Sequence, residues 1–332
     1  MDINGDGFTD IFSGCYSQRG HDGMVGSFWV LYGDEAGKFA KPVELMGTDG
    51  KLLQVTPDFD ENRRRENICT RPYAVDWDGD GDLDIVAGNF EGTFFLFTGE
   101  GKGKFNPKAE PITDTDGKAL KISGVHSDPV IIDWDGDGDL DLLSASSDGN
   151  IFWAENVREN DEKVTGADRT PVLTALKVLI KTPGSKDSKD ERGPTYGVRI
   201  EVADVTGDGK LDILAGDRFY STGPSPDLSE EEKAEFEKTN EEYQAALKEF
   251  MDGYNAYREA YDKAVEAAEQ EKGEKLTREE SAKLLKEHVT DKVAADEKLA
   301  ETRVRMTKLN KAMSKYRPVT VSGGNVWLYE QQ

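Results

Sequence analysis

The sequence predicts a mainly β protein: a β-propeller of four-stranded antiparallel blades, with a long α-helical hairpin inserted into the last blade. Three observations carry that prediction. Four Asp-Gly runs share one nine-residue spacing, a second apolar segment recurs behind them, and residues 228–316 switch to helical periodicity after a capping signal.

The runs read DINGDGFTD from Asp2, DWDGDGDLD from Asp76, DWDGDGDLD from Asp133 and DVTGDGKLD from Asp204. Successive starts lie 74, 57 and 71 residues apart, periods that indicate a propeller or a similar array. Carboxylates at positions 1, 3, 5 and 9 of so short a loop repel one another, so the folded loop needs a cation. Calcium suits it, as a hard ion that takes six to eight oxygens from carboxylates, carbonyls and water, whereas magnesium holds its waters and demands strict octahedral geometry. Glycines at positions 4 and 6 permit the sharp turns that bring alternate side chains to one centre. Position 7 is expected to offer only its carbonyl, because Phe8, Asp82, Asp139 and Lys210 all occupy it. An EF-hand is excluded, since it needs an acid at position 12 and Ser13, Ala87, Ser144 and Ala215 stand there.

Apolar residues flank the loops as strands do. Tyr73-Ala74-Val75 and Val130-Ile131-Ile132 lead in, and Asp84-Ile85-Val86 and Asp141-Leu142-Leu143 lead out. A third strand follows as GSFWVLYG at Gly26, GTFFLFTG at Gly92, GNIFWAEN at Gly149 and GNVWLYEQ at Gly324. AGKF, ending at Phe39, and KGKF, ending at Phe105, then mark a tight turn before a fourth strand. A four-stranded blade cannot bury both faces alone and must stack on its neighbours. The first blade begins inside its acidic loop and the last ends at its third strand. The natural protein is therefore expected to extend upstream, with a missing strand and a secretion signal, or to close its ends on each other or on a second copy.

The acidic-Gly loop with its following apolar stretch resembles the FG-GAP/VCBS repeats of integrin-alpha-type β-propellers, over all of the chain except the segment near 228–316. That resemblance implies a calcium-stabilised propeller, secreted or on the cell surface, that binds protein or carbohydrate, often in adhesion. It implies these calcium ligands: Asp2, Asn4, Asp6 and Asp10; Asp76, Asp78, Asp80 and Asp84; Asp133, Asp135, Asp137 and Asp141; and Asp204, Thr206, Asp208 and Asp212. Thr206 removes a charge, so the fourth site is expected to be the weakest of about four.

Composition sets the outer limits. The formal net charge is −24, which argues against nucleic acid and anionic membranes as partners. Residues 228–316 carry 22 acids against 17 bases, so most of the excess acid lies in the repeats. The absence of any run of 18 apolar residues argues against membrane insertion. Two cysteines, Cys15 and Cys69, are too few for a disulfide scaffold or a four-cysteine zinc site, although they lie in adjacent blades and a bond between them stays open.

The domain reading is 1–227 for the blades, 228–316 for the helical hairpin and 317–332 for the closing strand. Ser229-Glu230-Glu231-Glu232 and Thr277-Arg278-Glu279-Glu280 both fit a capping box. Apolar residues recur at Tyr243, Leu247, Phe250, Tyr254, Tyr257 and Tyr261, then at Leu285, Val289, Val293, Leu299, Met306 and Met313. Two coiled-coil-like helices of about 40 residues are expected, each about 60 Å long at 1.5 Å per residue. The tyrosine stripe is read as their seam, and a spacer or a self-association device as their use.

Catalytic patterns are sparse: there is no G-x-S-x-G, no P-loop and no H-E-x-x-H. Among the three histidines, His21 lies in an irregular stretch and His288 in the hairpin, while His126 precedes the first strand of its blade. Aligning blades on the first ligand places Arg71, Asp128 and Arg199 at one shared position, near His126. These four are candidate ligand-binding residues around a central channel that would hold a sugar, an anion or a metal. The function expected is a non-enzymatic binding module, with a polysaccharide lyase or hydrolase as the alternative.

Overall fold

The short apolar runs behind the acidic loops, IFSG, IVAG, LLSA and ILAG, are too brief for helices and are bounded by turn residues, and each forms a strand. In the computed structural model, residues 1–16, 26–56, 65–158, 170–181, 193–273 and 276–331 are described. The first sheet joins β1 (Ile11–Gly14), β2 (Phe28–Leu31) and β3 (Val43–Glu44). The second runs in sequence order through β4 (Arg71–Val75), β5 (Asp84–Gly88), β6 (Phe94–Phe97) and β7 (Glu110–Pro111). The third repeats it with β8 (Asp128–Ile132), β9 (Asp141–Ala145), β10 (Ile151–Ala154) and β11 (Lys177–Ile180). The fourth holds β12 (Arg199–Ala203), β13 (Asp212–Gly216) and, after a long insertion, β16 (Val326–Tyr329). All pairings are antiparallel, and the insertion divides second strand from third, with Ile213 opposite Tyr329.

Cores form between successive sheets. Phe28 and Val30 of the first sheet meet Ile85, Ala87, Phe95 and Phe97 of the second. The opposite face of the second, with Val86 and Phe94, packs on Ile131, Leu142 and Phe152 of the third. Val130, Leu143 and Ile151 then pack on Ile200, Val202, Ile213 and Ala215 of the fourth. Strands β5 and β9 are therefore buried on both faces, whereas β1 and β16 alternate between exposed and half-buried.

This stacking explains the glycines that end β1 and β5. A Cβ on Gly14 would lie 2.0 Å from the Thr70 carbonyl oxygen, and one on Gly88 would lie 2.4 Å from that of Ser127. Each is backbone of the next sheet, just before its first strand. At Gly216, in the last sheet of the stack, the nearest atom to an added Cβ is 4.0 Å away. Gly88→Ala is accordingly expected to lower unfolding free energy by about 2 kcal/mol through overpacking, while Gly216→Ala changes it much less. Urea denaturation of the two variants measures the contrast.

A further turn follows the fourth strand. In Gly47-Thr48-Asp49-Gly50-Lys51, Met46 bridges Leu52, and in Asp114-Thr115-Asp116-Gly117-Lys118, Thr113 bridges Ala119. These turns hook each sheet to the next: Gly47 bridges Phe105, and Asp114 bridges Leu173, both in parallel.

The chain divides into two compact units, Met1–Phe219 with Gly323–Gln332, and Tyr220–Ser322. The second unit is wider than the helical segment read at 228–316, because a two-stranded ribbon, β14 (Phe219–Gly223) with β15 (Val319–Gly323), flanks the helices. Helix α1 (Glu230–Lys272) starts at a full capping box on Ser229 and stops at left-handed Gly273. Contacts Phe236–Tyr316, Glu249–Arg305, Tyr257–Asp296 and Lys272–Glu280 run in opposite senses along the two arms, so the hairpin is antiparallel. The tyrosine stripe is half-buried along this contact.

The second arm is not one helix of about 40 residues. It is α2 (Arg278–Leu285), a π-helical turn at Lys286–Thr290, α3 (Asp291–Ala295) and α4 (Glu297–Ser314). Asp296 leaves the helical conformation at φ −81° and ψ 103° and caps α4, accepting from the Leu299 N–H at 3.0 Å. It also accepts the Tyr257 hydroxyl at 2.7 Å. That local acceptor competes with helix continuation, a contest that hydrophobic periodicity does not register.

Candidate functional site

The four acidic loops share one hydrogen-bond scheme. The position 1 carboxylate folds back over the loop glycines: Asp2 accepts from Gly5 and Gly7, Asp133 from Gly136 and Gly138, and Asp204 from Gly207 and Gly209. In the second loop Asp76 accepts from Gly81 at 3.0 Å. At position 3, Asn4, Asp78 and Asp135 accept the N–H two residues on, and at position 5, Asp6, Asp80, Asp137 and Asp208 do the same. At position 3 of the fourth loop, Thr206 instead donates its N–H to Asp212 at 3.0 Å.

Position 9 is buried and braces the loop. Asp10 accepts from Ile3 and Gly33, Asp84 from Trp77 and Gly99, and Asp141 from Trp134 and Asn156. Each carboxylate thus ties position 2 of its loop to the end of the third strand. Asp212 likewise accepts from Val205 at 3.0 Å.

Two loops gather acid closely. Ligand atoms of Asp76, Asp78 and Asp84 lie within 4.8 Å of one another, as do those of Asp133, Asp135 and Asp137. Among the described residues no such group of three forms in the first and fourth loops, where Asn4 and Thr206 replace an acid.

The donor set fits calcium. Asp76 Oδ1 and both carboxylate oxygens of Asp139 are buried without a hydrogen-bond partner. Burial, then the carboxylates of Asp137 and Asp141, push Asp139 up to about 7. Burial, opposed by backbone N–H groups, raises Asp84 and Asp141 to about 6. Buried carboxylate oxygens without partners call for a cation or protons, and the available ligands are all hard oxygens. Asp139 was expected to lend only its carbonyl, yet its side chain is sunk among the acids of its loop. The mixture of residue types at position 7 hides this.

A second cluster forms where three sheets begin. Arg71 opens β4, Asp128 opens β8 and Arg199 opens β12. Asp128 Oδ1 takes Arg199 Nη1 at 2.6 Å and lies 3.9 Å from Arg71 Nη1. Arg71 Nη1 donates to the His126 carbonyl at 3.1 Å, and Nη2 reaches His126 Nδ1 at 3.2 Å. All four channel candidates therefore share one connected network. Sequence reasoning missed Cys69, whose Sγ lies 3.3 Å from His126 Nδ1. Cys69 and His126 both adopt left-handed backbone, at φ 58° and 67°. For non-glycine residues that is strain, of the kind that surrounding structure must impose.

Because guanidinium only donates, His126 Nδ1 accepts and the ring proton resides on Nε2. Burial, followed by Arg71, Arg199 and Arg65, holds His126 down at about 4, so the ring is neutral at physiological pH. Phe90 lies against it, with ring centroids 4.5 Å apart, and Arg65 covers Phe90 at 4.9 Å. Cys15 and Cys69 are both free thiols. His21 lies outside the described residues.

No helix among the described residues is long and apolar enough to cross a membrane. Fold and site together define a repeat protein of four stacked antiparallel sheets, whose acidic, cation-suited loops lead into β1, β5, β9 and β13. The FG-GAP-like repeat model matches residues 76–144 and 133–215, so the second, third and fourth acidic loops lie in segments that are similar to FG-GAP repeats. No match to a curated protein was found. Among solved structures, an Agrocybe aegerita lectin described as specifically recognising non-reducing terminal N-acetylglucosamine is 19% identical over 62% of this chain, with a TM-score of 0.31. The chain spans 46% of that lectin's length.

Proposed function

We propose that the chain is a calcium-stabilised β-propeller acting outside the cell, secreted or at the surface, as a non-enzymatic module that binds carbohydrate. The sheets are its blades, and the residues opening β4, β8 and β12 face its central channel. About four calcium ions occupy the loops, held by the acidic and amide side chains at positions 1, 3, 5 and 9. Thr206 supplies a weaker ligand in the fourth.

The observation that carries this reading is the recurrence of one acidic loop in each of the four stacked sheets, with buried carboxylate oxygens that lack partners at Asp76 and Asp139. Adhesion to protein is an outcome of the same test. A polysaccharide lyase or hydrolase is less well supported, because Asp128 is engaged by two guanidinium groups and His126 Nδ1 by a third contact from Arg71. Asp128 is thus already paired, and a His126 ring held neutral down to about pH 4 is a poor proton donor at physiological pH.

The test is a glycan and protein binding screen in calcium and in EDTA, run beside turnover assays on the same polysaccharides. Glycan binding without cleavage, lost in EDTA, is expected. Cleavage abolished by His126→Ala would replace the binding reading with the enzymatic one, and retention of proteins alone would redirect it to adhesion.

A further inference from the structure

We propose that the cluster at the start of β4, β8 and β12 is an anion site that takes the carboxylate of an acidic sugar. This rests on the carbohydrate reading above and adds the class of sugar.

The charge is local and opposite to that of the chain. Three guanidinium groups, Arg65, Arg71 and Arg199, surround a neutral imidazole, in a protein whose formal net charge is −24. Asp128 answers Arg71 and Arg199, and Glu91 is shared between Arg65 and Lys121. The cluster therefore keeps an excess of positive charge, which draws anions to it through an otherwise acidic surface.

Donors are already positioned. His126 Nε2 carries a proton, because Nδ1 accepts from Arg71. Arg199 spends one nitrogen on Asp128, and half of its side chain stays exposed. Arg71 is about nine-tenths buried, and its Nε–H has no acceptor. That Nε is enclosed by protein, so Arg71 lends the site its charge, while Arg199 and the His126 Nε2–H supply the donors that meet the ligand. The guanidinium fork matches the two oxygens of a carboxylate, which makes the contact geometric as well as electrostatic.

The arrangement is held in advance. Arg71 is pinned by the His126 carbonyl, and His126 and Cys69 keep left-handed backbone to meet it. A site whose donors need no rearrangement loses less entropy on binding.

The experiment is calorimetric titration of the calcium-loaded full chain, at constant free calcium, with three disaccharides. One contains glucuronic acid, one is its neutral analogue, and one carries a sulfate ester. Arg199→Gln is the variant, checked for an unchanged melting temperature. The glucuronic disaccharide is expected to bind tightest, to weaken with salt, and to lose about tenfold in affinity in the variant. It should also slow alkylation of Cys69 but not of Cys15, read by mass spectrometry, because Cys69 Sγ is 3.9 Å from Arg71 Nη2. Equal binding of acidic and neutral sugars, or an unaffected variant, overturns the anion site while leaving the carbohydrate reading intact. Preference for the sulfate ester overturns the carboxylate assignment. Failure of every glycan to bind overturns both.

Discussion

Chelation of calcium by EDTA is expected to lower the melting temperature of the sheet unit steeply while leaving the helical unit standing. An ion that binds only the native state stabilises by RT ln(1 + [L]/Kd), about 2.7 kcal/mol per site at a hundredfold excess over Kd. The loops at Asp76 and Asp133 each gather three carboxylates within 4.8 Å, and together they account for about 5 kcal/mol. A domain's whole stability is about 5–15 kcal/mol, so loss of these two sites alone removes a large share. The calcium-free state is further penalised because Asp84, Asp139 and Asp141 must keep protons or face their neighbours' charge. The helical unit has its own core at Phe236, Met313 and Tyr316 and none of the acidic loops. Circular dichroism should therefore show the near-ultraviolet tryptophan signal collapse in EDTA at a temperature where helical ellipticity at 222 nm persists. A single melting transition at the same temperature in calcium and in EDTA would sink the calcium reading.

Much of this was legible in the sequence because the repeats spell out the same chemistry several times. The loops, the strands on either side of them and the third strands beginning at Phe28, Phe94, Ile151 and Val326 all follow from period and alternation. So does the convergence of Arg71, Asp128 and Arg199, since equal positions in stacked repeats lie side by side. What stayed hidden depends on contacts between repeats or on local competition. The turn pair at Thr48-Asp49-Gly50-Lys51 and Thr115-Asp116-Gly117-Lys118 is a true repeat, but its role in hooking neighbouring sheets appears only in three dimensions. The break at Asp296 interrupts a stripe whose apolar spacing continues undisturbed. Cys69 carries no periodic signal, and its meeting with His126 spans 57 residues of chain.

Asp84→Ala is expected to destabilise the sheet unit by about 4 kcal/mol in EDTA, through its bracing bonds, and by more in calcium, where a ligand is lost as well. Asp84 is 2% exposed, and its two oxygens accept from the Trp77 N–H at 2.8 Å and the Gly99 N–H at 2.6 Å. Removing the carboxylate leaves two buried donors without acceptors, each costing about 1–3 kcal/mol. The position therefore does two things: it stands beside Asp76 and Asp78 as a ligand, and it fastens the loop to the end of β6. Asp80→Ala separates them. Asp80 is an exposed position 5 residue whose recorded partner is the Asp82 N–H, so its loss should weaken calcium binding and leave the calcium-free protein nearly unchanged. Asp84→Asn keeps one carbonyl acceptor but turns an amide N–H₂ toward a backbone donor, which places it between the two at about 2 kcal/mol. Urea denaturation of the three variants with and without calcium resolves the order. An Asp84→Ala protein as stable as the parent in EDTA would mean that the bracing bonds contribute nothing and that the carboxylate acts through the ion alone. The same pair of bonds recurs at Asp10 and Asp141, so Asp141→Ala should repeat the result. Asp212→Ala should repeat it less strongly, because its loop carries Thr206 in place of an acid.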